Sequence, residues 1–148
     1  MTFKNLPAFR RRMENRLQKV SAVNVKKALV RSTMFVRNEA VTSIAAGGTG
    51  VTYTKYNPNR THQASAAGRP PASDTGVLIS GISTSVGVED GALVGKISAY
   101  APADGGGNYA LFLEFGTTQM EARPFMQPAL DKSAGKIRQI FVSEGVIS

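Results

Sequence analysis

The chain has 148 residues, of which 42% are hydrophobic and 7% aromatic with no Trp, so it can bury one sizeable, mainly aliphatic core. It has no cysteine, which excludes disulfides and thiolate metal sites and fits a reducing compartment, and no apolar run approaches the ~18 residues of a membrane span. The formal net charge is +8, and the basic start lacks the apolar centre of a signal peptide, so the expectation is a soluble protein made and used without export.

The charge is concentrated. Residues 1–37 hold ten Lys/Arg against one acid, Glu14, whereas residues 38–148 hold eight Lys/Arg against nine acids. A block of this kind attracts a phosphate backbone or an acidic protein surface, unless it is simply a solvated helix face. Within it, residues 6–20 read as a helix. Pro7 suits the first turn, and Phe9, Met13, Leu17 and Val20 fall at helical spacing among Arg10, Arg11, Arg12, Arg16 and Lys19.

Residues 21–24 read as a break, with Asn24 as N-cap of a longer helix over 25–46. That helix carries two apolar stripes. One is Val25, Leu29, Ser32, Val36 and Ala40; the other is Val30, Met34, Val41 and Ile44. Two stripes predict two packing partners, such as a sheet and a neighbouring subunit. Gly47, Gly48 and Gly50 end the helix.

Residues 51–56 alternate (VTYTKY) and predict a strand. The polar stretch 57–73, with Asn57, Arg60, His62 and Arg69 and a closing Pro70-Pro71, predicts a long mobile loop that a partner orders. Period-2 patterns over 76–88 and 92–101 predict strands joined by an Asp90-Gly91 hairpin turn. A glycine-rich loop spans 104–108, a further strand 109–115, and a last helix 124 or 125 to 142, with Pro124 in its first turn and Phe125 as its apolar anchor. The expected architecture is one α+β domain. A small antiparallel sheet over 76–115 is packed by the long N-terminal helix and the C-terminal helix over 124–142.

Catalytic constellations are not evident. His62 is the sole histidine, without the companions of a metal cluster. No GxSxG occurs, and Asp104-Gly105-Gly106-Gly107 lacks the Lys-Ser/Thr of a phosphate loop. Glu114 lies in the apolar run LFLEFG. It is either an exposed acid on the outer face of a strand or a partly buried carboxylate paired with Arg123 or a neighbouring subunit's arginine. A hydrolase built on Glu114 would lack a partner base or metal. Gly116 is expected at positive φ.

Two blocks then carry a family resemblance. The first is HQASAAGRPPASDTGVLISGI, with Pro71, Thr75, Gly76, Leu78 and Ile82; Gly81 stands where the family usually has Ser, with Ser80 adjacent. The second is YALFLEFGTTQMEARPFMQPAL, with Glu114, Phe115, Gly116, Thr117, Arg123, Pro124, Phe125, Pro128 and Ala129. Together they cover about a third of the chain. On these residues the chain resembles the neck proteins of long-tailed double-stranded DNA bacteriophages, the head–tail joining or tail-completion family.

The resemblance implies a non-enzymatic virion protein without cofactor or metal. It would be assembled in the host bacterial cytoplasm into a six-fold or twelve-fold homo-oligomeric ring between head and tail. The partners it implies are a head-completion or adaptor protein and a tail terminator or tail tube protein, with non-specific contact to packaged DNA in the lumen and no membrane. The alternatives are a tail terminator ring, or a basic nucleic-acid-binding module, which would lack aromatic platforms beyond Phe3, Phe9 and Phe35 beside its basic residues. The basic residues Arg10, Arg11, Arg12, Arg16 and Lys19 are then the surface for DNA or a partner, the stretch with Asn57, Arg60, His62 and Arg69 a partner-contacting loop, and the second block, with Thr75, Gly76 and Leu78 of the first, a structural corner or assembly motif.

Overall fold

The structure, a computed structural model, describes Pro7, Ala8, Arg10, Arg11, Arg12, Glu14 and residues 22–56 and 59–147. Phe9, Met13, Arg16, Leu17, Lys19, Val20 and Asn57 lie outside the described residues. The six described positions before residue 22 are helical and exposed.

Helix α1 (Ala22–Ala45) is the spine of the molecule. It starts three residues earlier than Asn24 predicts, so Asn24 lies inside the helix and does not cap it. Ala28, Ser32, Thr33, Val36, Ala40 and Ile44 are its buried residues. The first apolar stripe therefore supplies half of the buried face, Ser32, Val36 and Ala40, while Ala28 and Thr33 belong to neither stripe. The second divides: Ile44 is buried and Val41 packs against the core, while Val30 and Met34 face solvent.

Two antiparallel hairpins follow. Strands β1 (Thr52–Tyr56) and β2 (Asn59–Gln63) pair with Tyr53 opposite His62 and Lys55 opposite Arg60. The predicted irregular loop over 57–73 thus contains a strand. Its polar sequence concealed this because both faces of the hairpin are largely exposed and no apolar alternation was required. A short helical turn α2 (Val77–Ser80) replaces the start of the predicted strand over 76–88. Gly76, at φ 79°, turns the chain into it. Strands β3 (Ile82–Glu89) and β4 (Ala92–Ala99) form the second hairpin, with Asp90 (φ 49°) and Gly91 (φ 79°) both left-handed at its turn.

Helix α3 (Tyr109–Phe115) stands where a strand was predicted. Asn108 decides it. Its Oδ1 accepts from Ala110 N (3.1 Å) and Ala101 N (3.0 Å), and its Nδ2 donates to Ala99 O (2.9 Å). The cap satisfies a free helix-start amide and pins the helix to the end of β4. Helix α4 (Met126–Ser143) closes the chain. Phe125 is its N-cap, so Pro124 lies just before the helix, and Pro128 is the proline of the first turn.

The β3–β4 hairpin and α4 both pack on α1. Gly95 allows the close approach of the hairpin, since a Cβ there would lie 2.8 Å from Thr33 Cγ2. Val36, Ala40, Ile44, Ile82, Ala110, Leu113, Phe125 and Ala129 make one buried cluster. Burying each large member, such as Phe125 or Leu113, contributes roughly 1.5–3 kcal/mol. The fold is α+β, with two separate two-stranded sheets in place of one. Among the described residues no helix is long and apolar enough to cross a membrane.

Candidate functional site

The corner between α3 and α4 is built around Glu114. Its Oε2 accepts from Phe125 N (2.9 Å) and Met126 N (3.0 Å), and its Oε1 accepts from Gln127 N (3.0 Å). A helix start leaves its first amides without carbonyl partners and carries partial positive charge, so a carboxylate suits it twice over. Residue 128 is proline and has no N–H; Ala129 N already reaches Phe125 O at 3.3 Å. Every main-chain amide from 125 to 129 is thereby accounted for. Glu114 is neither a strand-surface acid nor the partner of Arg123. Sequence reading missed this because the cap arrives from another helix, eleven residues upstream.

The intervening turn is equally specified. Gly116 has φ 76°, and a Cβ there would lie 2.9 Å from Met120 O and 3.0 Å from Ala122 N. Thr117 Oγ1 accepts from Gln119 N (3.2 Å) and Met120 N (3.1 Å), and Thr117 N donates to Met120 O (2.8 Å). Arg123 N donates to Leu113 O (2.7 Å), closing the end of α3. Phe125 is 1% exposed, whereas Phe115, at 78%, points to solvent.

Beside the corner lies a cleft of about 710 Å³. Tyr53, Lys55 and His62 of the first hairpin line one side, and Pro71, Asp74, Thr75, Gly76 and Leu78 another. Residues 101–104, Tyr109, Leu113 and Arg123 complete it. The segment 71–76 is tied to the end of α1 by Ser73 N donating to Ile44 O (3.2 Å). The cleft therefore brings together His62, Thr75, Gly76, Leu78 and Arg123 from both motif blocks. Arg60 sits nearby through Asp74. Arg69, Arg10, Arg11 and Arg12 are exposed and do not line it.

Asp74 organises the first hairpin and was not singled out from sequence. Lys55 and Arg60 stand directly opposite each other, an arrangement of like charges that destabilises a strand pair. Asp74 lies between them. Its Oδ2 pairs with Lys55, its Oδ1 lies 2.9 Å from Arg60 Nη1, and His62 Nδ1 is 3.7 Å away. The hydrogen bond from Lys55, with the charges of Arg60, Lys55 and His62, holds the carboxyl below its ordinary value against the opposing effect of burial. His62 is thus a half-buried strand residue facing a carboxylate, not a solvated loop side chain.

Arg123 is the contrasting charge. Among the described residues its Nη1 reaches Met120 Sδ at 4.0 Å, and its buried Nε has no hydrogen-bond partner. Ser65, 4% exposed and also lining the cleft, has an Oγ in the same condition. Among the described residues no group of three or more His, Asp or Glu is placed to hold a metal ion. No protein-family model, no curated protein and no solved structure matches the chain.

Proposed function

We propose that the protein is a virion structural protein of the phage neck, a ring between head and tail through whose lumen DNA passes. The observation that carries this reading is the convergence of the two neck-like motif blocks, separated in sequence by residues 83–108, on one corner and the cleft beside it. Glu114, Gly116 and Thr117 shape that corner through main-chain contacts, as a structural role requires. Both oxygens of Glu114 are engaged by amides, so it is poorly placed to act as a base. Head–tail joining would use the exposed β1–β2 hairpin, and Arg10, Arg11 and Arg12 offer a positive surface to DNA or to an acidic partner ring.

Cryo-electron microscopy of purified virion necks tests this. The expected result is a closed ring of this chain between the head's portal assembly and the tail. A virion population that carries no copy of the chain at the head–tail junction would overturn the proposal.

A further inference from the structure

Helix α3 buries one side and leaves the other bare. Ala110 and Leu113 are in the core, whereas Leu111 (53% exposed), Phe112 and Phe115 (78%) share the opposite side. Three large apolar side chains together on a seven-residue helix make a patch of the kind that marks an interaction surface. Both ends of it are acidic. Asp104, which also lines the cleft, sits in the turn before the helix, where a Cβ at Gly107 would lie 3.3 Å from the Phe112 ring. Glu121 sits in the turn after the helix, beside Met120, whose carbonyl accepts from Thr117 N. Both acids are exposed, and neither makes an ion pair among the described residues. Arg123 lines the cleft together with Leu113, whereas Leu111, Phe112 and Phe115 do not line it.

The sequence holds a segment of the matching character. Phe9, Met13, Leu17 and Val20, outside the described residues, recur at helical spacing among Arg10, Arg11, Arg12, Arg16 and Lys19, with Glu14 as the one acid. An apolar stripe bordered by cations suits an apolar patch bordered by acids. The other exposed apolar row, Val23, Val30 and Met34 on α1, runs beside Lys26 and Lys27, whose charge repels a basic segment. Reach then decides between the segment's own α3 and that of another copy. Ala110 and Leu113 share the buried cluster with Val36, Ala40 and Ile44, and at 1.5 Å per residue Ala40 lies about 27 Å along α1 from Ala22. As a helix the stripe from Phe9 to Val20 spans only about 17 Å, so folded back along α1 it ends about 10 Å short of that level.

We infer that the basic N-terminal segment of one copy lays its apolar stripe on the α3 face, Leu111, Phe112 and Phe115, of the next copy. This rests on the ring reading above and supplies one of its contacts. Segment and face are different surfaces, so the contact is head-to-tail, the kind that closes into a ring when the rotation permits.

Sedimentation velocity on the full chain tests it, with circular dichroism and thermal melts confirming that each variant is folded. Leu111 and Phe115 are exposed, so replacing them spares the core. Met13→Gln with Leu17→Gln, and separately Leu111→Gln with Phe115→Gln, should each weaken self-association about ten-fold or more. Mixed, the two variants retain one intact contact between them, the segment of the second on the face of the first. The mixture should therefore form 1:1 pairs and nothing larger, which simple loss of structure cannot reproduce. Asp104→Asn with Glu121→Gln should weaken assembly about two- to five-fold and flatten its decline with salt. Assembly of either apolar variant at wild-type strength, no pairs from mixing folded variants, or assembly indifferent to the loss of both acids overturns the contact while leaving a neck ring built on other contacts. A wild-type chain that stays monomeric at every concentration, its segment docked on its own body or nowhere, overturns the contact too. The neck ring itself is judged separately by the virion images.

Discussion

Glu114 holds three main-chain amides at the start of α4, and Asp74 is surrounded by the side chains of Lys55, Arg60 and His62. The two carboxylates have similar numbers of partners but different kinds. Glu114 faces donors that belong to a helix packed in the core, beside Phe125 and Ala129. Asp74 faces flexible cations on a hairpin whose first strand is exposed throughout. Losing the first leaves amides at a helix start without acceptors. Losing the second leaves side chains that are at least partly exposed, so water can take over much of what the carboxylate supplied. The corner should therefore behave as part of the global fold, and the first hairpin as an arm attached to it.

The largest blow to that contrast falls on the corner's anchor. Phe125→Ala removes a ring that is 1% exposed and leaves a cavity, at a cost of about 3–5 kcal/mol. For a chain of this size each kcal/mol lowers Tm by about 2–4 °C, which a thermal melt reads directly. If the loss stays below about 1 kcal/mol, α4 is not held by this corner.

Next comes the turn. Gly116→Val meets backbone on two sides and needs a left-handed φ, so a loss of about 1–3 kcal/mol is expected. Gly87→Val, where a Cβ touches nothing, is the matched control and should melt close to wild type. Equal melts for these two would erase the distinction between a specified corner and an open hairpin.

Glu114→Ala should cost about 0.5–2 kcal/mol, the range of a lost helix cap. Hydrogen exchange should locate the damage at the amides of Phe125, Met126 and Gln127. Protection unchanged at those three amides would show that the carboxylate is dispensable.

Asp74→Asn gives the smaller, local counterpart. Global melting should scarcely move, while cleavage after Arg60 by trypsin should become faster as the arm loosens. The pH dependence has a definite sign. Because the folded carboxyl lies below its ordinary value of 3.8, its contribution is present above that value and is lost as pH falls through the lowered one. Wild type and Asp74→Asn should differ in protease sensitivity at neutral pH and converge in strong acid, read by an acid-active protease. A constant difference across that range would mean that the charge on Asp74 is not what holds the arm.

Smallest of all should be the effect of replacing Arg10, Arg11 and Arg12 with Gln, because the three are exposed. Tm should stay within about 1 °C of wild type, while joining of separated heads and tails or retention of DNA should suffer. Full joining and normal DNA content would leave these arginines as a solvated face.

The sequence alone determined the features that depend on local backbone chemistry and periodicity. The long helix, the Asp90-Gly91 turn, the left-handed Gly116 and the final helix all follow from residues within a few positions of one another. It also determined the uneven charge and the pairing of Gly116 with Arg-Pro-Phe as one unit. Tertiary structure decided the rest. The run YALFLEF suits a strand or a short buried helix, and the Asn108 side chain, bonded at once to the end of β4 and to α3, selects the helix. The NRTHQ run shows no apolar period, and its pairing with β1 is set by register and by Asp74 bridging two facing cations. Glu114 finds its role only when two helices meet at a right distance, and the cleft exists only where the two motif blocks fold against each other. Those outcomes depend on partners far away in sequence, and local propensity carries no information about where such partners will be.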